Sequence, residues 1–479
     1  MLVHWGYIGQ TNLSNQIVQL GVIMQVFFRF IAIAFAALAA APALADEMSP
    51  HAAACALTAF GAVADDGIDD TKALQAALDQ CAAQGLQVTV PAGRFDIGHI
   101  RLPSGTDLYL SPNGALVGST RFADYPAIPE TDGHRAWFFA DDARNIRISG
   151  SGTLDGAATP IYKLMDEIIA KDRNDPRADE RVRFGILLRR CDNVRIRDIQ
   201  MRDTQMYFMN LNDCDNVVID GVDLRAPIDS HNTDGIQITD SRDVRIANCR
   251  IAVGDDAIVT KARMKPVERL MVNNCVITSD DGAIKFGTRS ASAVRDSQFS
   301  NIAITDSRYG IALFMINGGE YTNNRFSNIT IRTGGRHPRT YPIFVDIDDR
   351  VEDPAARQLG VIDGLTFDGL DIRTSGNLLI AGHPDAPIRN LALSDVSITS
   401  RDGETIKATD TKPRGNRKFE PVPGSPDLAP IDATLVLGHV DGLTLDNVRV
   451  AGDGNAGFVH TVDIRNPGGS SVDLLNRPQ

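Results

Sequence analysis

VVIDGVDL (217–224), VRIANCRI (244–251), LMVNNCVI (270–277), SQFSNIAI (297–304) and NRFSNITI (324–331) share one pattern. LTFDGLDI (365–372), LALSDVSI (391–398) and LTLDNVRV (443–450) continue it. Each block alternates apolar with polar residues, breaks at an Asn, Asp or Gly corner, and alternates again. That is strand, turn, strand rather than an amphipathic helix. The first five blocks begin 26 to 27 residues apart, a period that signals a stacked solenoid. One such unit cannot bury its apolar face alone, whereas stacked units share a continuous core. The pattern therefore predicts a parallel β-helix, with Val, Ile and Leu stacked inward and Asn, Asp and Cys at the corners. A β-propeller would need longer four-stranded blades, and none are visible.

Outward from this core, DDTKALQAALDQCAAQG (69–85) predicts an N-terminal helix over the first coil, opened by Asp69, Asp70 and Thr71. PIYKLMDEIIAK (160–171) reads as a short amphipathic helix, followed by a charged segment to Arg183, and 401–430 as a long exposed loop. The first 45 residues differ: Arg29, an apolar run from Phe30 to Ala41, and Ala43-Leu44-Ala45 before Asp46 form the layout of a secretory signal, with Met24 as a candidate true start. The run is too short for a membrane span. The expected organisation is a signal peptide over 1–45, one β-helix domain over 46–479, and a periplasmic or secreted product without a membrane anchor. Its formal charge of −13 argues against a nucleic-acid partner. Of the six cysteines, Cys55 and Cys81 are placed to pair in an oxidising compartment. Cys191, Cys214, Cys249 and Cys275 recur at equivalent places in successive repeats and read as core thiols.

The chemistry is concentrated in three turns: Ser230-His231-Asn232-Thr233-Asp234-Gly235, Val253-Gly254-Asp255-Asp256-Ala257 and Ser279-Asp280-Asp281-Gly282. They lie about one solenoid turn apart, so the carboxylates of Asp234, Asp255, Asp256, Asp280 and Asp281 stack onto one patch. Crowded carboxylates raise at least one pKa, which suits a proton donor. A single Asp-Gly is ordinary turn chemistry, but three acidic turns on adjacent coils exceed what turns need. A calcium site is the competing use of such a patch.

NTDG followed one turn later by GDD, on a β-helix, resembles the polygalacturonases and rhamnogalacturonases of glycoside hydrolase family 28. FGAVADDGIDDTKALQAAL (60–78), VPAGRFDIGHIRLPSGTDLYLSPNGALVGS (90–119) and GTLDG (152–156) resemble the opening of that family. The resemblance implies an all-β, right-handed parallel β-helix, a pectin-lyase-like solenoid, that hydrolyses a polysaccharide or oligosaccharide with inversion and without a cofactor. By motif, Asp255 would be the general acid, while Asp234 and Asp256 would hold and deprotonate the attacking water. Two departures stand out. The family's G-H-G is replaced by DDGAIKFGT (280–288), with Asp281 or Gly282 in place of its histidine. Its R-I-K, which binds the substrate carboxylate, is replaced by Tyr309-Gly310-Ile311-Ala312-Leu313-Phe314.

Lys285, between Ile284 and Phe286, alternates outward and is a candidate substitute clamp, as are Lys261, Arg263 and Arg289, or a solvated surface lysine. His231, Asp280 and Asp281 complete the candidate substrate-binding set, and no metal ligand is assigned. The alternative reading is a neutral sugar against Phe314, with Trp137, Tyr207 and Tyr309 as stacking or core residues. Rival functions are a β-helix lyase or epimerase, with calcium on Asp255, Asp256, Asp280 or Asp281, and a non-catalytic carbohydrate-binding β-helix.

Overall fold

The structure, a computed structural model, describes residues 55–172, 175, 181–288, 290–316, 318–334, 340–348, 358–400, 433–452 and 459–473. The candidate signal over 1–45, the exposed loop over 401–430, and Arg289 lie outside the described residues. Strands wind into a parallel β-helix in which all the repeat blocks stack in register. Val194 pairs with Val217, Val217 with Val244, and Arg245 with Met271. Met271 then pairs with Gln298, Gln298 with Arg325, and Arg325 with Thr366. Thr366 pairs with Ala392, and Ala392 with Thr444. The sequence reading missed the coil VRIRDIQM (194–201), which carries the same alternation and joins the stack through that first pair.

Register follows from what each coil buries. Ile219, Ile246, Val272, Phe299, Phe326 and Phe367 occupy one inward column and are 0–1% exposed. Phe299 and Phe326 stack at 4.8 Å between centroids, and Phe326 and Phe367 at 5.3 Å. A slip of one residue would turn every such side chain to solvent, at a cost of about 1.5–3 kcal/mol each. The corners need left-handed backbone, which Asn adopts more readily than most residues. Asn248, Asn274, Asn301 and Asn328 have φ of 57°, 56°, 55° and 51°. Their amides form a ladder at 3.2, 3.3 and 2.6 Å between neighbours. All four free cysteines are buried, but not at one equivalent place: Cys249 and Cys275 follow Asn248 and Asn274, whereas Cys191 and Cys214 follow left-handed Arg190 and Asp213 at another corner. Cys249 Sγ donates to Ala247 O at 3.1 Å.

The N-terminal helix, α1 (Thr71–Ala83), buries Leu74, Ala77, Leu78 and Cys81 in the same core as Val88 and Leu108. Cys55 and Cys81 form a disulfide. Asp70 makes no capping bond; its carboxylate accepts from Val63 N at 3.2 Å, while Asp69 accepts from Thr71 N at 2.9 Å. A second helix, α2 (Thr159–Lys171), starts one residue before the expected Pro160. Among the described residues no helix is long and apolar enough to cross a membrane.

The site lies on the outer face of one wall of the helix. Its strands are β1 (Phe184–Arg189), β2 (Tyr207–Asn212), β3 (Ile236–Thr239), β4 (Ile258–Lys261), β5 (Val276–Phe286), β6 (Gln298–Ile316) and β7 (Tyr341–Asp348). Ile236, Ile258, Ile284, Ile311 and Ile343 pair in sequence and point inward.

Candidate active site

The acidic turns enter β3, β4 and β5 at matching depth. Gly235 N donates to Asp256 O at 2.8 Å, and Ala257 N donates to Gly282 O at 2.8 Å. With Ile236, Ile258 and Ile284 in register two residues later, Asp234, Asp256 and Gly282 form one column. Hydroxyls fasten the first two turns: Ser230 Oγ lies 2.8 Å from Thr233 Oγ1, which accepts from Gly254 N at 2.9 Å. Gly254 must be glycine there, because a Cβ would stand 2.1 Å from Ser230 O. Gly282, not Asp281, falls one coil beyond Asp256. A side chain at Gly282 would meet Asp256 Oδ1 at 2.9 Å and Lys285 Cβ and Cδ at 3.2 Å. The Lys285 side chain therefore fills the space beside Gly282.

Asp255, Asp256 and Asp281 each place a carboxylate oxygen within 4.8 Å of the others. Lys285 Nζ sits among them, 2.8 Å from Asp256 Oδ2 and 3.1 Å from Asp281 Oδ2. Arg308 Nη1 reaches Asp281 Oδ1 at 3.3 Å. Asp255 is half-buried, and Asp256 N donates to its Oδ1 at 2.9 Å. Asp234 is buried, accepts from Gln237 Nε2 at 2.5 Å and lies 3.7 Å from Lys261 Nζ.

These environments set the charges. Burial pushes the Asp255 carboxyl up to about 7, and the Asp234 charge adds to the rise. Burial raises Asp234 to about 6, with Lys261 acting against it. Burial also raises Asp256, to about 7, against the pull of Lys285. For Asp281, burial is outweighed by Lys285 and Arg308, and its carboxyl stays below the usual range. Lys285 is well above its ordinary value, because Asp256, Asp281 and Asp255 together outweigh its burial. The ammonium is thus permanent, and Asp256 is the raised aspartate whose anion has a cation at contact distance.

Asp255, Asp256, Asp281 and Lys285 come together, with Asp234 and Lys261 beside them. Asp280, on the same strand, is half-buried and is not one of the converging carboxylates. His231 is exposed, with Nε2 3.9 Å from Asp166 Oδ1. Lys261 Nζ lies 5.5 Å above the Tyr207 ring. Trp137 belongs to the interior core. Tyr309 and Phe314 are each 2% exposed, packed with Tyr341 and Phe344 in a second apolar cluster on the outer face. Phe314 therefore offers no surface for a neutral sugar. The sequence reading missed Arg181, which is buried and bonds Asn232 Oδ1 at 3.2 Å and His231 O at 3.4 Å. It also missed Gln237, which alternation after NTDG places on the outer face. Three carboxylates are a set that suits a divalent cation, but the Lys285 ammonium already balances two of them.

The profile of glycosyl hydrolases family 28 matches residues 81–415. A probable polygalacturonase of Arabidopsis thaliana is 24% identical over 361 residues, 72% of this chain and 77% of that protein. An exopolygalacturonase of Zea mays is 30% identical over 206 residues, 42% of this chain and 47% of that protein, so this match spans about half its length. The family 28 exopolygalacturonase structure of Yersinia enterocolitica superposes with a TM-score of 0.61 at 18% identity, over 87% of this chain and 78% of that one. With the family profile spanning both acidic motifs and most of the stacked coils, this chain belongs to glycosyl hydrolases family 28.

Proposed function

We propose that this glycoside hydrolase cleaves a pectin-type polysaccharide with inversion, without a cofactor, and acts after export to the periplasm or outside the cell. The polysaccharide class rests on the family and on the polygalacturonase names of the relatives. The observation that carries the mechanism is the division of the carboxylates. Asp255 is raised to about 7 with no cation in hydrogen-bond contact among the described residues, whereas Asp256 has Lys285 Nζ at 2.8 Å. Both carboxyls are raised to about 7, and the ammonium at contact distance favours the anion of Asp256 while Asp255 has none, which suits the two for the acid and base roles that hydrolysis requires. Asp255 gives its proton to the leaving oxygen as that bond breaks. A water held by Asp234 and Asp256 attacks the anomeric carbon from the opposite face and loses its proton to that pair. Gln237 orients Asp234, and the Lys285 ammonium favours the ionised form of Asp256. The charge balance is supplied by the chain itself.

A panel of acidic and neutral polysaccharides, read by new reducing ends and product mass, tests this reading. Saturated products with reducing ends from a pectic polymer, unaffected by chelator, are expected. Chelator-sensitive release of unsaturated ends would instead establish the calcium-dependent lyase, and binding without turnover the non-catalytic reading.

A further inference from the structure

The outer face of the wall changes character at the aspartates. On β2 and β3, upstream of them, it presents Asn210, Asn212, Gln237 and Thr239, and on β4 Lys261. Downstream, on β6 and β7, it presents Tyr309, Ala312, Phe314, Tyr341 and Phe344, all 0–2% exposed and packed ring against ring. Lys285, at the boundary, is already shared between two carboxylates. Arg308, beside it, is likewise paired, with Asp281 at 3.3 Å, so among the described residues the cations at the boundary are already engaged by aspartates.

Upstream, a pocket of about 260 Å³ adjoins Asp234 through Gln237 and Lys261. That is at the small end for ligand sites and suits single sugar residues. Arg183, Arg189, Lys261 and Arg263 line it, against Glu130 and Asp132. Arg189, Asn212, Thr239 and Lys261 are register partners, so two cations stand at the ends of one column, three coils or roughly 14 Å apart. Arg189 Nη1 is buried without a hydrogen-bond acceptor. Its nearest carboxylate, Asp141, is 3.8 Å away and makes its short contact, 2.7 Å, with Arg190. Arg183 Nη1 contacts His134 Nε2 at 3.1 Å, an imidazole rather than a carboxylate. Guanidinium groups with no carboxylate at hydrogen-bond distance among the described residues, in a concave, partly buried wall, are suited to bidentate capture of a planar carboxylate.

We propose that this upstream pocket, through Arg183 and Arg189 with Lys261 at its inner end, binds the carboxylate of a uronate residue and makes the enzyme selective for an acidic chain. The assignment rests on the proposed polysaccharide substrate and adds where its acidity is recognised.

The test is direct binding, measured by calorimetry, of trigalacturonate and of its methyl ester to full-length protein, with turnover of the parent polymers assayed separately. Wild type should bind the acid form, with the ester about 10–100-fold weaker. Arg189→Gln and Arg183→Gln, each checked for an unchanged melting temperature, should lower acid-form affinity about tenfold or more each and leave the ester unaffected, with Arg189→Lys recovering part of the loss. Undetectable binding of the acid form, equal binding of acid and ester, or equal binding by wild type and both variants would overturn the assignment. Selective binding without turnover would uphold it while sinking the hydrolase reading. Turnover with binding indifferent to both arginines would do the reverse.

Discussion

Lys285 Nζ lies 2.8 Å from Asp256 Oδ2, and the same side chain crosses the face of Gly282, the residue one coil beyond Asp256. Here a lysine reaches back from three residues along the strand, and the glycine leaves it room. A buried carboxylate beside other carboxylates would otherwise take up a proton; the fixed ammonium opposes that. Lys285 is therefore a positioning residue acting through Asp256, which also accounts for a basic side chain on an otherwise apolar strand.

Lys285→Met should accordingly lower kcat about 10²-fold or more on acidic and neutral substrates alike, and move the acid limb of the pH profile upward as Asp256 gains a proton more readily. Lys285→Arg should restore part of the activity. A loss confined to KM on acidic polymers would show instead that Lys285 clamps the substrate carboxylate.

Asp255→Asn should reduce turnover about 10²–10⁴-fold while leaving folding intact. A substrate whose leaving group needs no proton should be affected far less. Equal losses on both substrates would assign Asp255 to binding or structure.

The raised Asp255 pKa also couples to stability. A carboxyl raised on folding from 3.8 to about 7 favours the folded state fully below about 4, and that contribution is lost as pH rises through about 7. Asn cannot ionise, so Asp255→Asn should melt above wild type by on the order of 1–3 °C at pH 8, with the gain shrinking towards pH 4. Calorimetric melts at both pH values check this; a gain larger at pH 4 would contradict it. For the same reason wild-type turnover should fall about tenfold per unit above pH 7 as the acid loses its proton.

Gly254→Ala tests the junction between the first two acidic turns. A Cβ 2.1 Å from Ser230 O forces the turns apart. Overpacking of this kind costs about 1–3 kcal/mol, and a displacement near 1 Å at the reacting groups lowers kcat about 10²-fold. Wild-type melting and turnover in this variant would show that the contact is not structural.

The solenoid was legible because inward and corner positions obey rules that act within one coil: alternation buries Ile219 and Ile246, and Asn248 marks a left-handed corner. The earlier coil at 194–201 escaped notice because its register partner Val217 follows Val194 by a shorter interval than the repeats downstream. Outward positions were less legible. Ala312 and Phe314 alternate outward like Lys285, and Tyr309, which alternation would have turned inward, joins them; they meet Tyr341 and Phe344 from the next coil and form a second core. Spacing alone cannot distinguish an open groove from such a cluster. Whether Asp281 or Gly282 stood over Asp256 depended on where one residue of length was absorbed, and the pairing places that irregularity around Ser279–Gly282. Arg181 follows a charged segment with no periodicity, so nothing in the chain pointed to its bond with Asn232.

The stereochemistry of the first-formed product tests the central claim, that Asp255 and the Asp234–Asp256 pair act on opposite faces of one bond, most directly. Proton NMR during early turnover of a pectic oligosaccharide should show a saturated reducing end whose anomeric configuration is opposite to that of the cleaved linkage, with mutarotation following later. A first product of retained configuration, or one carrying an unsaturated end, would contradict the account.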